Sequence, residues 1–327
     1  MTIAFLFPGQ GAQQVGMGRA LAAAFPVARR TFDEADAAFR ASGSDASRLS
    51  DLCFQGPDEQ LMLTEITQPA ILTMSTAASQ VLRAQGIEPS FVAGHSLGEY
   101  SANVAAGTFA LADAVGIVRR RGRYMQEAVP VGAGAMAAIL GVDLETVTRA
   151  CEEAAQGDVV SPANINGPAQ ISIAGSAAAV ERACARAKAL GAKRIVPLAV
   201  SAPFHCALMK PAEERLAPEL RALTTADPRV PVVANVDAEP KRDAGAAIGA
   251  LIRQVSAPVR WDQVVRRLAS EGVTTYVEVG PGTVLSGLVK KIHEDISRRS
   301  ARAEAEVRVV SFGSPADLPA VVAACST

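Results

Sequence analysis

The chain has 327 residues, with 32 Lys and Arg against 33 Asp and Glu and only three His. Its hydrophobic fraction is 49% and its charged fraction 20%, which excludes a disordered or collagen-like chain because there is ample apolar material for a core. The length exceeds that of one compact domain, so two domains or one domain with an insertion are expected. The net charge of -1 argues against general nucleic-acid binding while leaving room for a local basic patch.

Elements follow in chain order from the spacing of apolar residues. Residues 2–7 are apolar and β-prone, and Pro8-Gly9-Gln10-Gly11 ends that run. Residues 68–84 have a helical pattern, 91–94 read as a short strand, and 97–106 and 113–126 read as helices. Further strands are expected at 230–236, 274–279 and 307–312. Buried strands alternating with helices predict an α/β protein with a mainly parallel sheet covered on both faces.

The middle of the chain has another rhythm. A strand at 135–142 is followed by a helix at 144–155 with Asp143 as N-cap. Strands at 159–163 and 170–174 flank the turn signal Asn166-Gly167-Pro168. A helix at 176–190 and a strand at 194–200 complete β-α-β-β-α-β, the split βαβ order of a ferredoxin-like unit. The expected division is a small inserted subdomain at 129–199 and a larger α/β domain made of 1–128 and 200–327. The charged stretch 293–308 is expected as an exposed helix or loop.

Cys53, Cys151, Cys184, Cys206 and Cys325 form no C-x-x-C pair and no metal-ligand spacing, which points to reduced thiols in a cytoplasmic protein. The first residues lack a basic stretch before their apolar run, and no apolar run approaches the ~18 residues that span a bilayer. A soluble intracellular protein is expected.

The chemistry centres on Gly94-His95-Ser96-Leu97-Gly98, a G-x-S-x-G pattern. Alone it is a weak signal, and an ordinary serine N-cap is the plainer alternative. Its position between a short apolar strand and a helix makes it a nucleophile elbow. The glycines allow a tight turn, and the serine hydroxyl stands at a helix N-terminus where N–H groups and the helix dipole favour negative charge. A serine needs a neighbouring base at neutral pH. His95 is adjacent to Ser96, so its side chain should diverge. His293 lies in a charged run read as a solvated helix face. His205 lies in a loop between a strand and a helix, where α/β proteins place functional groups, and is the expected base, with a structural histidine as the alternative.

Ala114, Ile117, Val118, Arg121 and Met125 share one helical stripe, so Arg121 is predicted to point inward while Arg120 faces water. A buried guanidinium needs an anion or several acceptors, and no acidic residue shares the stripe. A substrate carboxylate gripped bidentately is one partner; a distant Asp or Glu is the other.

These residues together resemble the malonyl-CoA:acyl-carrier-protein transacylase family, the acyltransferases of fatty acid and polyketide synthesis. The resemblance rests on FPGQGAQ at 7–13, GHSLGEYSA at 94–102, RRGRYMQEAVP at 120–130, GAGAMAAILG at 132–141, SAPFHCALMKPA at 201–212, QVSAPVRW at 254–261 and EVGPG at 278–282. It implies an α/β-hydrolase-like core with a ferredoxin-like insert, in agreement with the reading of the middle segment. It implies Ser96 as the acylated nucleophile and His205 as its base, without a triad aspartate. Arg121 would bind the malonyl carboxylate, and the backbone N–H groups of Gln10 and Leu97 would form the oxyanion hole. The main-chain carbonyl of Gln254 would orient the histidine. Phe204 precedes the base, as in polyketide acyltransferases that use unbranched malonyl; stand-alone enzymes often carry a small residue there. The resemblance further implies malonyl-CoA as substrate, holo acyl carrier protein as partner, a monomer, no metal and no permanently bound cofactor. An acidic carrier calls for a basic docking patch, for which Lys290, Lys291, Arg298 and Arg299 are candidates. Alternatives are a polyketide-synthase acyltransferase acting in trans, a malonate decarboxylase malonyltransferase subunit, and, in a different class, a hydrolase of acyl-carrier thioesters.

Overall fold

Ile3–Phe7 is buried along its whole length, as a strand covered on both faces must be. It forms β1 of the computed structural model, which describes residues 1–43, 47–299 and 306–326. Successive β1 side chains point to opposite faces, so Phe5 and Phe7 join one apolar core and Ala4 and Leu6 another. The other strands are β2 (Phe91–Gly94), β3 (Gly134–Leu140), β4 (Val160–Gly167), β5 (Gln170–Ser176), β6 (Arg194–Pro197), β7 (Val232–Val233), β8 (Pro240–Lys241), β9 (Thr275–Val279) and β10 (Arg308–Phe312).

Six of them make one sheet in the order β10-β9-β1-β2-β7-β8, parallel except for the antiparallel edge strand β8. The chain leaves β1 toward β2 on one side and returns through β9 on the other. The strand order therefore reverses at β1, and the crevice beyond the carboxyl ends of β1 and β2 is where an open α/β sheet binds ligands. The loop after β1 and the turn after β2 both end there.

The second sheet, β4-β5-β3-β6, is antiparallel throughout. The helices Leu144–Ala155 and Ala177–Ala189 pack on it around Ile139, Val147, Ile171 and Ile173, a core of its own. Asp143 caps the first of these helices, its Oδ1 accepting the Thr146 N–H at 2.9 Å. A parallel bridge joins this sheet to the rest: Ile165 N–H donates to Val259 O, and Val259 N–H to Ala163 O, each at 2.8 Å.

Several elements differ from their sequence reading for local reasons. The strand expected at 230–236 is only two residues long, because Pro231 lacks an N–H and the chain turns at Ala234, where Ala238 N–H returns to Ala234 O. The strand expected at 194–200 stops at Pro197. β4 runs through Asn166 and Gly167, so the turn is made by Pro168 and Ala169. The helix expected from 68 starts at Thr64 and contains Pro69. In the charged stretch 293–308, residues 293–299 continue the helix Val284–Arg299 and Arg308 opens β10, while 300–305 lie outside the described residues.

Two glycines set the geometry on which the site depends. A Cβ on Gly94 would lie 1.9 Å from the Gly98 carbonyl, and one on Gly98 would lie 2.0 Å from the carbonyl oxygen of Phe7. No side chain fits, so β1, β2 and the helix Gly98–Ala106 (the elbow helix) approach as closely as backbones can. Gly98→Ala is expected to destabilise the protein by at least about 1–3 kcal/mol, read as a lowered urea midpoint. An unchanged midpoint would contradict the close approach.

Candidate active site

The elbow forces Ser96 into the left-handed region, with φ 53°. That conformation costs a non-glycine residue roughly 1–2 kcal/mol and persists only where its surroundings fix it. Here Asn235, just past β7, fixes it: its Oδ1 accepts the Ser96 N–H at 2.8 Å, and its Nδ2 donates to Gly94 O at 2.7 Å. The other end of the site repeats the pattern. His205 has φ 62° and is 3% exposed, in a loop between β6 and the helix Lys210–Arg221.

The two strained residues meet. Ser96 Oγ and His205 Nε2 are 2.7 Å apart, and His205 Nδ1 lies 3.0 Å from the main-chain oxygen of Gln254. A carbonyl can only accept, so Nδ1 carries the proton and Nε2 is left to accept from the serine hydroxyl. Burial, reinforced by the Arg121 charge, pushes the His205 imidazole down to about 3, against the Gln254 carbonyl, which favours the cation.

Arg121 stands on the helix Leu111–Glu127 (the arginine helix), one residue before Gly122. A Cβ on Gly122 would lie 2.7 Å from Thr64 O, so this helix and Thr64–Ala84 are in backbone contact there. Arg121 therefore points inward, 2% exposed. Its Nη1 donates to Gln68 Oε1 at 2.8 Å, and its Nη2 to Gln254 Oε1 at 2.9 Å and Ser96 Oγ at 3.2 Å. Its carbon sits 5.2 Å from the centre of the buried Tyr100 ring, within cation–π range. Among the described residues no carboxylate forms an ion pair with it, and its Nε has no hydrogen-bond partner. Burial works against its charge; Tyr100 and Glu99 support it.

Gln254 ties these groups together. Its Nε2 donates to Ser96 O at 2.8 Å and to Glu99 Oε2 at 2.7 Å. The N–H groups of Gln10 and Leu97 donate no backbone hydrogen bond within the described residues. Gln10, Gln68, Ser96, Arg121, Phe204 and His205 line one cavity of about 150 Å³, and Phe204 is 9% exposed. Among the described residues no cluster of His, Cys, Asp or Glu could hold a metal ion.

Residues 4–311 match the family described as acyl transferase domain. The malonyl CoA-acyl carrier protein transacylase of Escherichia coli strain K12 is 52% identical over 295 residues, spanning 90% of this chain and 94% of that protein. Its namesake in Bacillus subtilis strain 168 is 50% identical over 89% and 90% of the two chains. The chain belongs to the malonyl CoA-acyl carrier protein transacylase family. Solved structures agree. A malonyl-transacylase in complex with its type II polyketide-synthase acyl-carrier protein, PlMCAT:AntF, is 45% identical and superposes over the full length of both chains with a TM-score of 0.91. An acyl carrier protein S-malonyltransferase from Vibrio cholerae is 44% identical over 98% of this chain and 100% of its own, with the same TM-score.

For this member of the transacylase family, the structure adds residues to those read from sequence and corrects others. Gln68, Glu99 and Asn235 all touch the network. Each is a polar residue on a buried segment, which was the available signal; what they bond to depends on tertiary placement. His95 diverges from Ser96 as expected and meets Asn166 of the second sheet, Nε2 to Oδ1 at 2.8 Å, beside Trp261. Arg120 does not face water: it is half-buried and paired with Glu219. His293 is not solvated either. It follows Leu285, Leu288, Val289 and Ile292 on one helical stripe, so it is buried, with Nε2 3.0 Å from the Tyr276 hydroxyl. Lys290, Lys291, Arg298 and Arg299 on the same helix are exposed, and Arg299 also pairs with Asp295 at 3.0 Å. All five cysteines are free, and no helix of the described residues is long and apolar enough to cross a membrane.

Because its folded value lies far below the ordinary one, the His205 ring should remain neutral over the physiological range. Its ring resonances are expected to stay flat between about pH 5 and pH 8 in an NMR titration. A midpoint above about 6 would contradict the geometry.

Proposed function

We propose that the chain transfers the malonyl group of malonyl-CoA to the phosphopantetheine thiol of holo acyl carrier protein, through a malonyl ester on Ser96, in fatty acid biosynthesis. One observation carries the reading: a buried guanidinium that pairs with no carboxylate among the described residues donates to the hydroxyl of a serine that is 2.7 Å from a buried histidine. A carboxylate is the ligand such a cation lacks, and malonyl presents one beside the thioester carbon that Ser96 must attack.

The substrate carboxylate binds Arg121, whose unused donors include Nε. His205 Nε2 takes the Ser96 proton as Oγ attacks the thioester carbonyl. The N–H groups of Gln10 and Leu97 stabilise the oxyanion, an effect of about 3–4 kcal/mol per donor in comparable sites. The C–S bond breaks, and His205 gives its proton to the departing thiolate. The carrier thiol then enters, loses its proton to His205 and attacks the ester; Ser96 Oγ leaves and recovers that proton. The Gln254 carbonyl holds the tautomer throughout, so a Ser-His dyad suffices without an aspartate. The Phe204 ring takes up space that an α-methyl would need, which favours malonyl over branched units. No metal or bound cofactor takes part.

The same reading extends to architecture. The six-stranded sheet is an α/β-hydrolase-like core made of 1–128 and 200–327, and the four-stranded unit is a ferredoxin-like subdomain inserted at 129–199. Its strand order, with β3 and β5 inside and β4 and β6 outside, supports this. The protein acts in the cytoplasm, and an acidic carrier docks near Lys290, Lys291, Arg298 and Arg299, all exposed on one helix.

Intact-mass measurement after incubation with malonyl-CoA should show one malonyl group on Ser96, removed by a chase with holo carrier. An adduct that survives the chase, or that forms on Ser96→Ala, overturns the reading. Transfer to carrier should slow with salt and on reversing the charges of Lys290 and Lys291; insensitivity to both would remove that docking patch.

A further inference from the structure

Two opposite charges are buried beside the reacting serine without touching. Arg121 is 2% exposed and Glu99 only 1%. The Gln254 amide stands between them, its oxygen accepting from Arg121 Nη2 at 2.9 Å and its nitrogen donating to Glu99 Oε2 at 2.7 Å. Its dipole is thus aligned with both charges, negative end to the cation and positive end to the carboxylate. The same Glu99 oxygen accepts the Asn235 N–H at 3.0 Å, and Asn235 in turn holds Ser96 N–H. No step of the transfer uses Glu99.

We propose that Glu99 is the internal counter-ion of Arg121, acting through the Gln254 amide, and that it takes up a proton when the substrate carboxylate arrives on the guanidinium. This rests on the malonyl-binding role of Arg121 given above. Glu99 is a positioning residue: it acts on substrate only through Gln254 and Arg121.

The neighbouring charges support the assignment. The arginine helix contributes Arg121, which favours the Glu99 anion. The loop after β7 contributes Asp237, which opposes it and is itself paired with Lys241 and with Arg253 of the helix Ala244–Gln254. The helix Thr64–Ala84 presents the neutral Gln68 to the guanidinium. Burial is the largest influence and pushes the Glu99 carboxyl up to about 7. His205, held at about 3, and Tyr100, pushed up to about 12, do not exchange protons near neutrality. A second anion on Arg121 cancels the support that Glu99 draws from it, so the Glu99 value rises further on binding. Affinity for malonyl-CoA is therefore highest when Glu99 is already protonated. It falls as pH rises through about 7 and levels off above the value in the complex.

Ser96→Ala binds substrate without turnover, and calorimetry in two buffers of different ionisation enthalpy counts the protons exchanged. Acetyl-CoA, which shares the CoA phosphates but lacks the carboxylate, supplies the baseline. Malonyl-CoA is expected to take up about half a proton more than acetyl-CoA near pH 7, and the Ser96→Ala/Glu99→Gln variant none. Equal proton counts for the two ligands, or uptake that persists in the double variant, overturns the inference. Should the double variant not fold, infrared difference spectra of Ser96→Ala decide: a protonated-carboxyl band gained with malonyl-CoA supports the proposal, and its absence overturns it. Ser96→Ala that binds malonyl-CoA no better than acetyl-CoA would instead overturn the role of Arg121, a separate failure.

Discussion

The structure depends on keeping one guanidinium charged in the core with no carboxylate against it among the described residues. Burying an unpaired cation costs several kcal/mol, and the chain offsets this with acceptors that are strong but neutral. Gln68 and Gln254 each give Arg121 an amide oxygen, Tyr100 gives it a ring face, and Ser96 gives it a hydroxyl. An aspartate in place of either glutamine would satisfy the charge and close the site to an anion. Amides hold the cation while leaving its attraction for a carboxylate largely unspent.

Holding those acceptors in register is the work of the backbone. The elbow places Ser96 because Gly94 and Gly98 let three main-chain segments meet, and Gly122 lets the arginine helix lie against Thr64–Ala84. Ser96 and His205 both occupy left-handed conformations that neither would adopt alone. Asn235 and Gln254 fix them with paired hydrogen bonds, so local strain is held by groups from distant parts of the chain. The second sheet is joined to this frame through the Val259 bridge and the contact of His95 with Asn166.

Much of this was legible in the sequence because it is written in local periodicity. β2 and the helix Leu144–Ala155 match their expected limits, and the inward turn of Arg121 follows from the stripe it shares with Ile117, Val118 and Met125. Other features escaped because they are set by tertiary contacts. The brevity of β7 reflects the chain bending so that Asn235 can reach the elbow. Arg120 looked solvated because its partner, Glu219, is 99 residues away. The burial of His293 was legible in principle, since its apolar stripe is as regular as that of Arg121, but the flanking charges obscured it.

Comparing transfer of two acyl groups by Arg121→Ala tests most directly the proposed role of Arg121 in selecting a carboxylate. Malonyl transfer to carrier should fall at least about 100-fold more than acetyl transfer, because only malonyl loses a charge-assisted partner. Equal losses for the two acyl groups would contradict the account.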